Sequence, residues 1–542
     1  MSSDLLIRGG IVHDGSRRKP QAGFVSIKDG IIASVGSSPS GNSFSADRVI
    51  EADGAVVAPG FIDTHTHSDA LPFLLGDHDD LRLGSVRQGV TTEIAGNCGF
   101  SLYPVTTGGE AVGTDIATLF GPDTTVYPDL LSYADAATKG GMAANLATLV
   151  GHGTVRATVV GFDDRPTEAN ELDQMASLVD VALSQGALGF STGLIYPPGC
   201  YAPTDEIVAL ASVSADHGKP YVSHIRNEMR GVLDALDEAL DIGQRSGAAV
   251  HISHLKAGGP PDLGGGPALV DKLKRARRQG LDVTSDGYPY TKGSTVLRAL
   301  LPPTASVGGI EAMLSRLSSP EGRASVRAGL QGSDWQNFLE DRTWSEVTIA
   351  YAPATPEIEG KTVDQIARER SVDPVDAACD ALIANQGAVV VVIDLTREED
   401  VVACLCWEGA MVGSDGIPIP GKPHPRWAGS FSRVLGDLVR DRRVLSLNES
   451  IHRMTVAAAA RFGLNNRGRI AGGAAADIVI FDPETVSDRA TYAEPLAKPV
   501  GVNHVIVNGV PVIDDGVDTG RRPGHFLRKE STTTARPGRT LT

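Results

Sequence analysis

In the stretch VTTEIAGNCGFS, residues 90–101, Cys98 stands between Asn97 and Gly99, where an apolar strand breaks into a loop. The chain has five cysteines, Cys98, Cys200, Cys379, Cys404 and Cys406, an odd and sparse set that does not read as a disulfide framework. A thiol at such a place is more readily a ligand or a nucleophile than a staple. Other strand-like segments end in groups of the same kind. GFIDTHTH closes on His65 and His67, whose i, i+2 spacing puts both imidazoles on one face of an extended chain. PYVSHIR offers His224, AVHISHLK offers His254 and MVGSDG offers Asp415. Imidazole nitrogen, thiolate sulfur and carboxylate oxygen together make a zinc-type donor set. Taken singly, each histidine fits a satisfied core or surface position. Taken with Cys98 and Asp415, metal binding is the better account, and Cys98 reads as a ligand.

Donors this far apart in sequence meet only if the fold gathers strand ends at one place. Eight segments read as strands that alternate with helical patterns: GFIDTHTH, VTTEIAGNC, NLATLVGHG, GALGFSTG, PYVSHIR, AVHISHLK, LDVTSDGYP and MVGSDG. Eight parallel βα units make a TIM-like (β/α)8 barrel, in which residues past the carboxyl ends of the strands share one mouth. One connecting helix is legible in NELDQMASLVDVALSQG, with Asn170 as its expected N-cap and Gly186 as its stop. The interval between the seventh and eighth strands is far longer than the others and predicts an inserted subdomain over roughly 303–400. Short strands and turns fill both ends of the chain, as in AGFVSIKDGIIASVG and ADIVIFDPETV, and predict a small β-sandwich built from 1–58 and 468–528. The barrel then spans 59–467, and 529–542, rich in Thr, Arg and Pro, predicts a flexible tail.

The bulk properties limit the partners. A net charge of −17 from 49 basic and 66 acidic residues argues against a nucleic-acid footprint. Such a balance does not exclude a small anionic substrate, which a few local cations can hold. No apolar run reaches the ~18 residues needed to cross a bilayer, and MSSDLLIRGGIVHDG lacks the pattern of a secretory signal. Together with the cysteine usage, these features predict a cytoplasmic protein with no membrane partner. Oligomeric state does not follow from the sequence.

The motifs carry a resemblance. PGFIDTHTHSD resembles the His-x-His signature of the amidohydrolase superfamily. GNCGFS, GALGFSTGLIYPPG, SHIRNE, HISHLK, DGYPYTKGST, GSDGI, HPRWAGSFSRVL and ADIVIFDP, in that order, are similar to the N-acyl-D-amino-acid deacylases, or D-aminoacylases, over nearly the whole chain. That resemblance implies a zinc-dependent hydrolase of N-acyl-D-amino acids, cutting the amide with a hydroxide on the metal. It puts a tightly held zinc on Cys98, His224 and His254, and a second, weaker metal position on His65 and His67 with Cys98 shared. Asp415 becomes the general acid/base. Lys256, Tyr288 and Arg426 hold the substrate carboxylate, with Tyr196 lining the same side. Arg298, in GSTVLRALLPP, leaves two readings open: a partner for an acidic D-Glu or D-Asp side chain, or an arginine that reaches solvent over packed leucines. His152, ending the third strand, is read as structural. Hydantoinase-like relatives bridge two metals with a carboxylated lysine. Between Cys98 and His224 stand only Lys139 and Lys219, one before a Gly-Gly turn and the other before a proline, and neither fits that role. Two alternatives remain, a cyclic-amide hydrolase and a catalytically silent assembly protein of the same fold. The missing bridge argues against the first, and the full set of donors argues against the second.

Overall fold

The apolar segments that end in donor residues form short parallel strands, buried on every residue, as strands covered on both faces must be. The computed structural model describes residues 2–37, 45–74, 78–106, 109–121 and 123–528; the expected tail, 529–542, lies outside them. The barrel strands are Phe61–Asp63, Val90–Ala95, Asn145–Thr148, Phe190–Gly193, Tyr221–His224, Val250–Ile252 and Val283–Ser285. Their registers run around the ring: Ile62 opposite Thr92, Thr92 opposite Asn145, Ser191 opposite Val222, Val222 opposite His251, and His251 opposite Thr284. The third strand breaks at Leu149 and continues as Val150–Gly151, which pairs with the fourth.

The expected eighth strand is not a regular one. Single parallel bridges, Ser285 to Ala410 and Thr66 to Gly416, close the ring instead. The physical reason is local. Gly413 packs so close to the first strand that a Cβ on it would lie 2.7 Å from His65 Cβ. Two residues on, Asp415 turns to φ 52°, which a continuous strand does not allow. The result is a TIM-like barrel whose last stave is stitched to its neighbours at separate points.

Both ends of the chain enter one nine-stranded sheet. Ile478–Phe481 runs antiparallel to Val56–Pro59, with Ile478 opposite Pro59, and Ser2–Val12 pairs beyond it. Leu5, Ile7, Val25, Ile27, Ile478 and Ile480 fill its own core. Lys292–Val296, Val390–Asp394 and Val347–Tyr351 make a separate antiparallel sheet, in that order. Helices Gly309–Leu317, Val363–Arg370 and Pro374–Ala384 pack on it around Met313, Ile366 and Leu382.

Helix Ala169–Gln185 begins earlier than expected. Glu168, not Asn170, is its N-cap, in a reciprocal capping box with Glu171, and Gly186 ends it at φ 115°. Helix Arg426–Arg433 is fixed by Trp427, fully buried, whose indole donates to Leu81 O at 2.8 Å. Truncating that side chain to alanine is expected to cost about 3–5 kcal/mol. Its neighbour Arg426 is thereby set in place facing the barrel mouth.

Candidate active site

Ten residues other than glycine have positive φ among the described residues, and three of them are Cys98 (53°), His254 (35°) and Asp415 (52°). Left-handed backbone is unfavourable for such residues, and it persists only where the surroundings over-determine it. Here the surroundings can be named. Asn97 Nδ2 donates to Ile94 O at 2.9 Å and holds the turn at Cys98, while Gly193 leaves room for Cys98 O, which a Cβ there would meet at 2.1 Å. Asp286 Oδ1 accepts from the His254 amide, and Asp415 N donates to His65 O at 2.7 Å. Each strained turn swings a side chain into the mouth.

The donors converge. Cys98 Sγ lies 3.3 Å from His65 Nε2 and 3.4 Å from His254 Nε2. Asp415 Oδ1 lies 3.5 Å from His65 Nε2 and 3.3 Å from His67 Nε2. His224 stands edge-on to His254, ring centres 4.5 Å apart. Two groups of donor atoms result, each within 4.8 Å: His65, Cys98, His254 and Asp415; and His224, Glu228 and His254. The second group already has a cation, since Lys256 Nζ lies 2.7 Å from Glu228 Oε1 and 2.6 Å from His254 Nδ1.

The electrostatics suit a metal. Burial pushes the Cys98 thiol up, but His65 and His254 outweigh it and hold the thiol well below its ordinary range. Burial likewise raises Asp415, and Arg426, at 2.8 Å, and His254 more than reverse it. Burial lowers His224, which favours the neutral ligand form, and neither of its ring nitrogens has a hydrogen-bond partner. Cys98, Asp415, Glu228 and Asp286 bring four anionic charges, and Lys256 and Arg426 return two. Against burial, Cys98, Asp286 and Asp415 in turn hold His65, His67 and His254 above the ordinary imidazole range, so these rings carry positive charge beside the anions. A divalent cation would replace those protons, and thiolate plus neutral imidazole is the protonation state that zinc requires. The residues fit that metal.

A chamber adjoins the cluster. It is lined by His67, His224, His254, Lys256, Tyr288, Asp415, Arg426 and Tyr196 on its polar part. Phe100, Leu119, Val296, Phe338, Ile393, Leu395 and Ile417 form the apolar part. The Arg426 guanidinium stacks over the Tyr288 ring at 4.7 Å, and its buried Nε has no hydrogen-bond partner. Tyr196 is held by Thr295 at 2.9 Å. All the candidates except Arg298 are thus gathered in or against one chamber. Arg298 is buried at 4% exposure, so it does not reach solvent, and it lies outside this lining, paired with Asp115 at 2.9 Å. His152, buried, pairs with Glu206 at 2.8 Å. Neither Lys139 nor Lys219 lines the chamber.

Three carboxylates escaped the sequence reading. Glu228 holds Lys256 and approaches His254 Nδ1 at 3.0 Å. Asp286 accepts from His251 at 2.8 Å and stands 3.5 Å from His65 Nδ1, and Asp63 accepts from the amides of His65 and Ser414. A signal for Asp286 was available: TSDG at the seventh strand end repeats the GSDG that carries Asp415.

Comparison with known proteins points to one family. The amidohydrolase family matches residues 48–296 and 409–513. A D-aminoacylase of Alcaligenes xylosoxydans xylosoxydans is 34% identical over 526 residues, 97% of this chain and 98% of that protein. An N-acyl-D-glutamate deacylase of the same organism is 35% identical, covering 98% of each chain. Among solved structures, N-acyl-D-glutamate deacylase from Bordetella bronchiseptica, complexed with zinc and a phosphonate inhibitor that mimics the tetrahedral intermediate, superposes with a TM-score of 0.81. It is 33% identical and covers 98% of this chain and 100% of its own. The chain belongs to the amidohydrolase family, among its N-acyl-D-amino-acid deacylases.

Proposed function

We propose that this chain hydrolyses the amide bond of N-acyl-D-amino acids to a carboxylate and a free D-amino acid. It does so at a zinc site on Cys98, His224 and His254, with His65 and His67 as a second, weaker position. The observation that carries the reading is the convergence of Cys98, His65, His254 and Asp415 within 4.8 Å beside the cavity, with the His224 ring 4.5 Å from that of His254. Zinc held there supplies Lewis-acid polarisation of the scissile carbonyl and makes the attacking water acidic enough to react near neutral pH.

The chain's own residues do the rest. Asp415, kept anionic by Arg426, takes the proton from the attacking water and returns it to the leaving nitrogen, without which the amine departs poorly. The substrate carboxylate is held by the unspent Nε of Arg426, by Lys256 and by the Tyr288 hydroxyl. Lys256 spends two of its three donors on Glu228 and His254, which leaves one for the ligand. Tyr196, packed on the His224 ring at 5.2 Å, closes the same side and limits water at the reacting centre.

The division into a terminal β unit (1–58 with 468–528), a barrel (59–467) and an insertion (303–400) belongs to this reading. So does a cytoplasmic location, supported by five cysteines without a disulfide. Among the described residues, no helix is long and apolar enough to cross a membrane. The test is amine release from N-acetyl-D- and N-acetyl-L-amino acids by the zinc-loaded protein. Faster D-series hydrolysis is expected, and an L preference or hydantoin opening without amide cleavage would overturn the reading.

A further inference from the structure

Arg298 and Asp115 lie close to the substrate chamber and take no part in the chemistry above. Arg298 sits in the turn Leu297–Leu300 and aims its guanidinium at helix Glu110–Phe120. Its Nη2 lies 2.9 Å from Asp115 Oδ1, and its Nη1 donates to Thr118 Oγ1. Leu119, the next residue of that helix, lines the main cavity. Asp115 itself lines a smaller cavity beside Cys98, and the two cavities share Phe100 and Tyr196. The ion pair therefore lies behind the part of the chamber wall that Leu119, Phe100 and Tyr196 form.

Around it the chamber is mainly apolar, from Leu119, Val296, Phe338, Ile393, Leu395 and Ile417, with Ser294 and Thr295 as uncharged polar neighbours. The cations that do line the chamber, Lys256 and Arg426, already face Glu228 and Asp415 and are placed on the α-carboxylate. A second carboxylate, on a D-Glu or D-Asp side chain, would enter these surroundings with no free cation to meet it, because Arg298 is already paired with Asp115 and does not line the chamber. An unpaired buried charge costs far more than a buried methylene gains. An aliphatic side chain meets no such barrier.

We infer, resting on the deacylase reading, that Asp115 is a specificity-determining residue. By holding the Arg298 guanidinium against its own helix it withdraws that cation from the chamber. The enzyme then selects N-acyl-D-amino acids with uncharged, apolar side chains over those of D-Glu and D-Asp.

The experiment compares kcat/KM for N-acetyl-D-Leu, -D-Met, -D-Glu and -D-Asp on the zinc-loaded full chain. Wild type is expected to favour D-Leu and D-Met by at least about 100-fold. Asp115→Asn frees Arg298 and is expected to narrow that ratio about tenfold, through a lower KM for D-Glu. Since Asp115→Asn leaves a buried guanidinium without its counter-ion, it can fail to fold. Asp115→Leu combined with Arg298→Leu replaces the pair with apolar volume and is expected to keep the D-Leu preference. Wild-type turnover of D-Glu or D-Asp equal to that of D-Leu overturns the inference. So does a selective loss of D-Glu hydrolysis in the double variant, which would mean that Arg298 already served an acidic side chain. If no N-acetyl-D-amino acid is hydrolysed at all, the deacylase reading falls and this inference with it. An acidic preference sinks this inference alone.

Discussion

The chamber has two walls made by different means. One is built from barrel strand ends, where His65, Cys98, His224, His254 and Asp415 arrive from five points spread over 350 residues of chain. The other comes largely from the separate three-stranded sheet and its neighbours, through Val296, Phe338, Ile393 and Leu395. The first wall is polar, strained at three of its turns and densely hydrogen-bonded. The second is apolar, and none of these four residues has a positive φ. Chemistry needs fixed donors, and a closed barrel rim fixes them. Choice of substrate needs only shape and the absence of charge, which a separate sheet can supply without disturbing the rim.

That contrast can be broken at either wall. The largest effect is expected at Cys98→Ala, which removes the thiolate that faces two imidazoles. Bound zinc is lost and turnover falls by about 10⁴-fold or more, read by metal analysis of the purified protein beside an amine-release assay. Zinc and activity retained together would remove Cys98 from the site. Asp415→Asn is expected to keep zinc while kcat drops about 10³-fold, in line with loss of a general acid/base. Normal turnover in that variant moves the proton transfer to another group.

Smaller effects sharpen the comparison. Glu228→Gln weakens the charge that orients His254 and Lys256. Zinc affinity, measured by competition with a chelator, is expected to fall about 10–100-fold; an unchanged affinity would leave Glu228 as a partner of Lys256 alone. Ile393→Ala cuts the apolar wall and should lower kcat/KM for N-acetyl-D-Leu about tenfold with zinc content unchanged. Loss of zinc in that variant would show that the two walls are not separable.

The rim was legible in the sequence because its residue types are rare and sit at strand ends. A Cys between Asn and Gly, or a His-x-His after an apolar run, has few competing explanations. The eighth strand was placed correctly as a segment, yet it is stitched by single bridges because Gly413 and the positive φ of Asp415 forbid a regular ladder. Glu228 was missed since an acid four residues past His224, in a loop, looks like any solvated glutamate until Lys256 is found 2.7 Å away. Arg298 was read from an apolar context as a pocket or surface group, and its partner Asp115, almost two hundred positions earlier, gave no sign of itself. The apolar wall was illegible for a different reason. Phe338, Ile393 and Leu395 are the residues any buried sheet would use, and only their placement beside His254 distinguishes them from core.

The most direct measurement is X-ray absorption at the zinc edge of the metal-loaded chain. The account expects one sulfur scatterer at about 2.3 Å together with imidazole nitrogen near 2.0–2.1 Å, and no bound zinc to measure in Cys98→Ala. A zinc shell of nitrogen and oxygen alone, unchanged by that substitution, would contradict it.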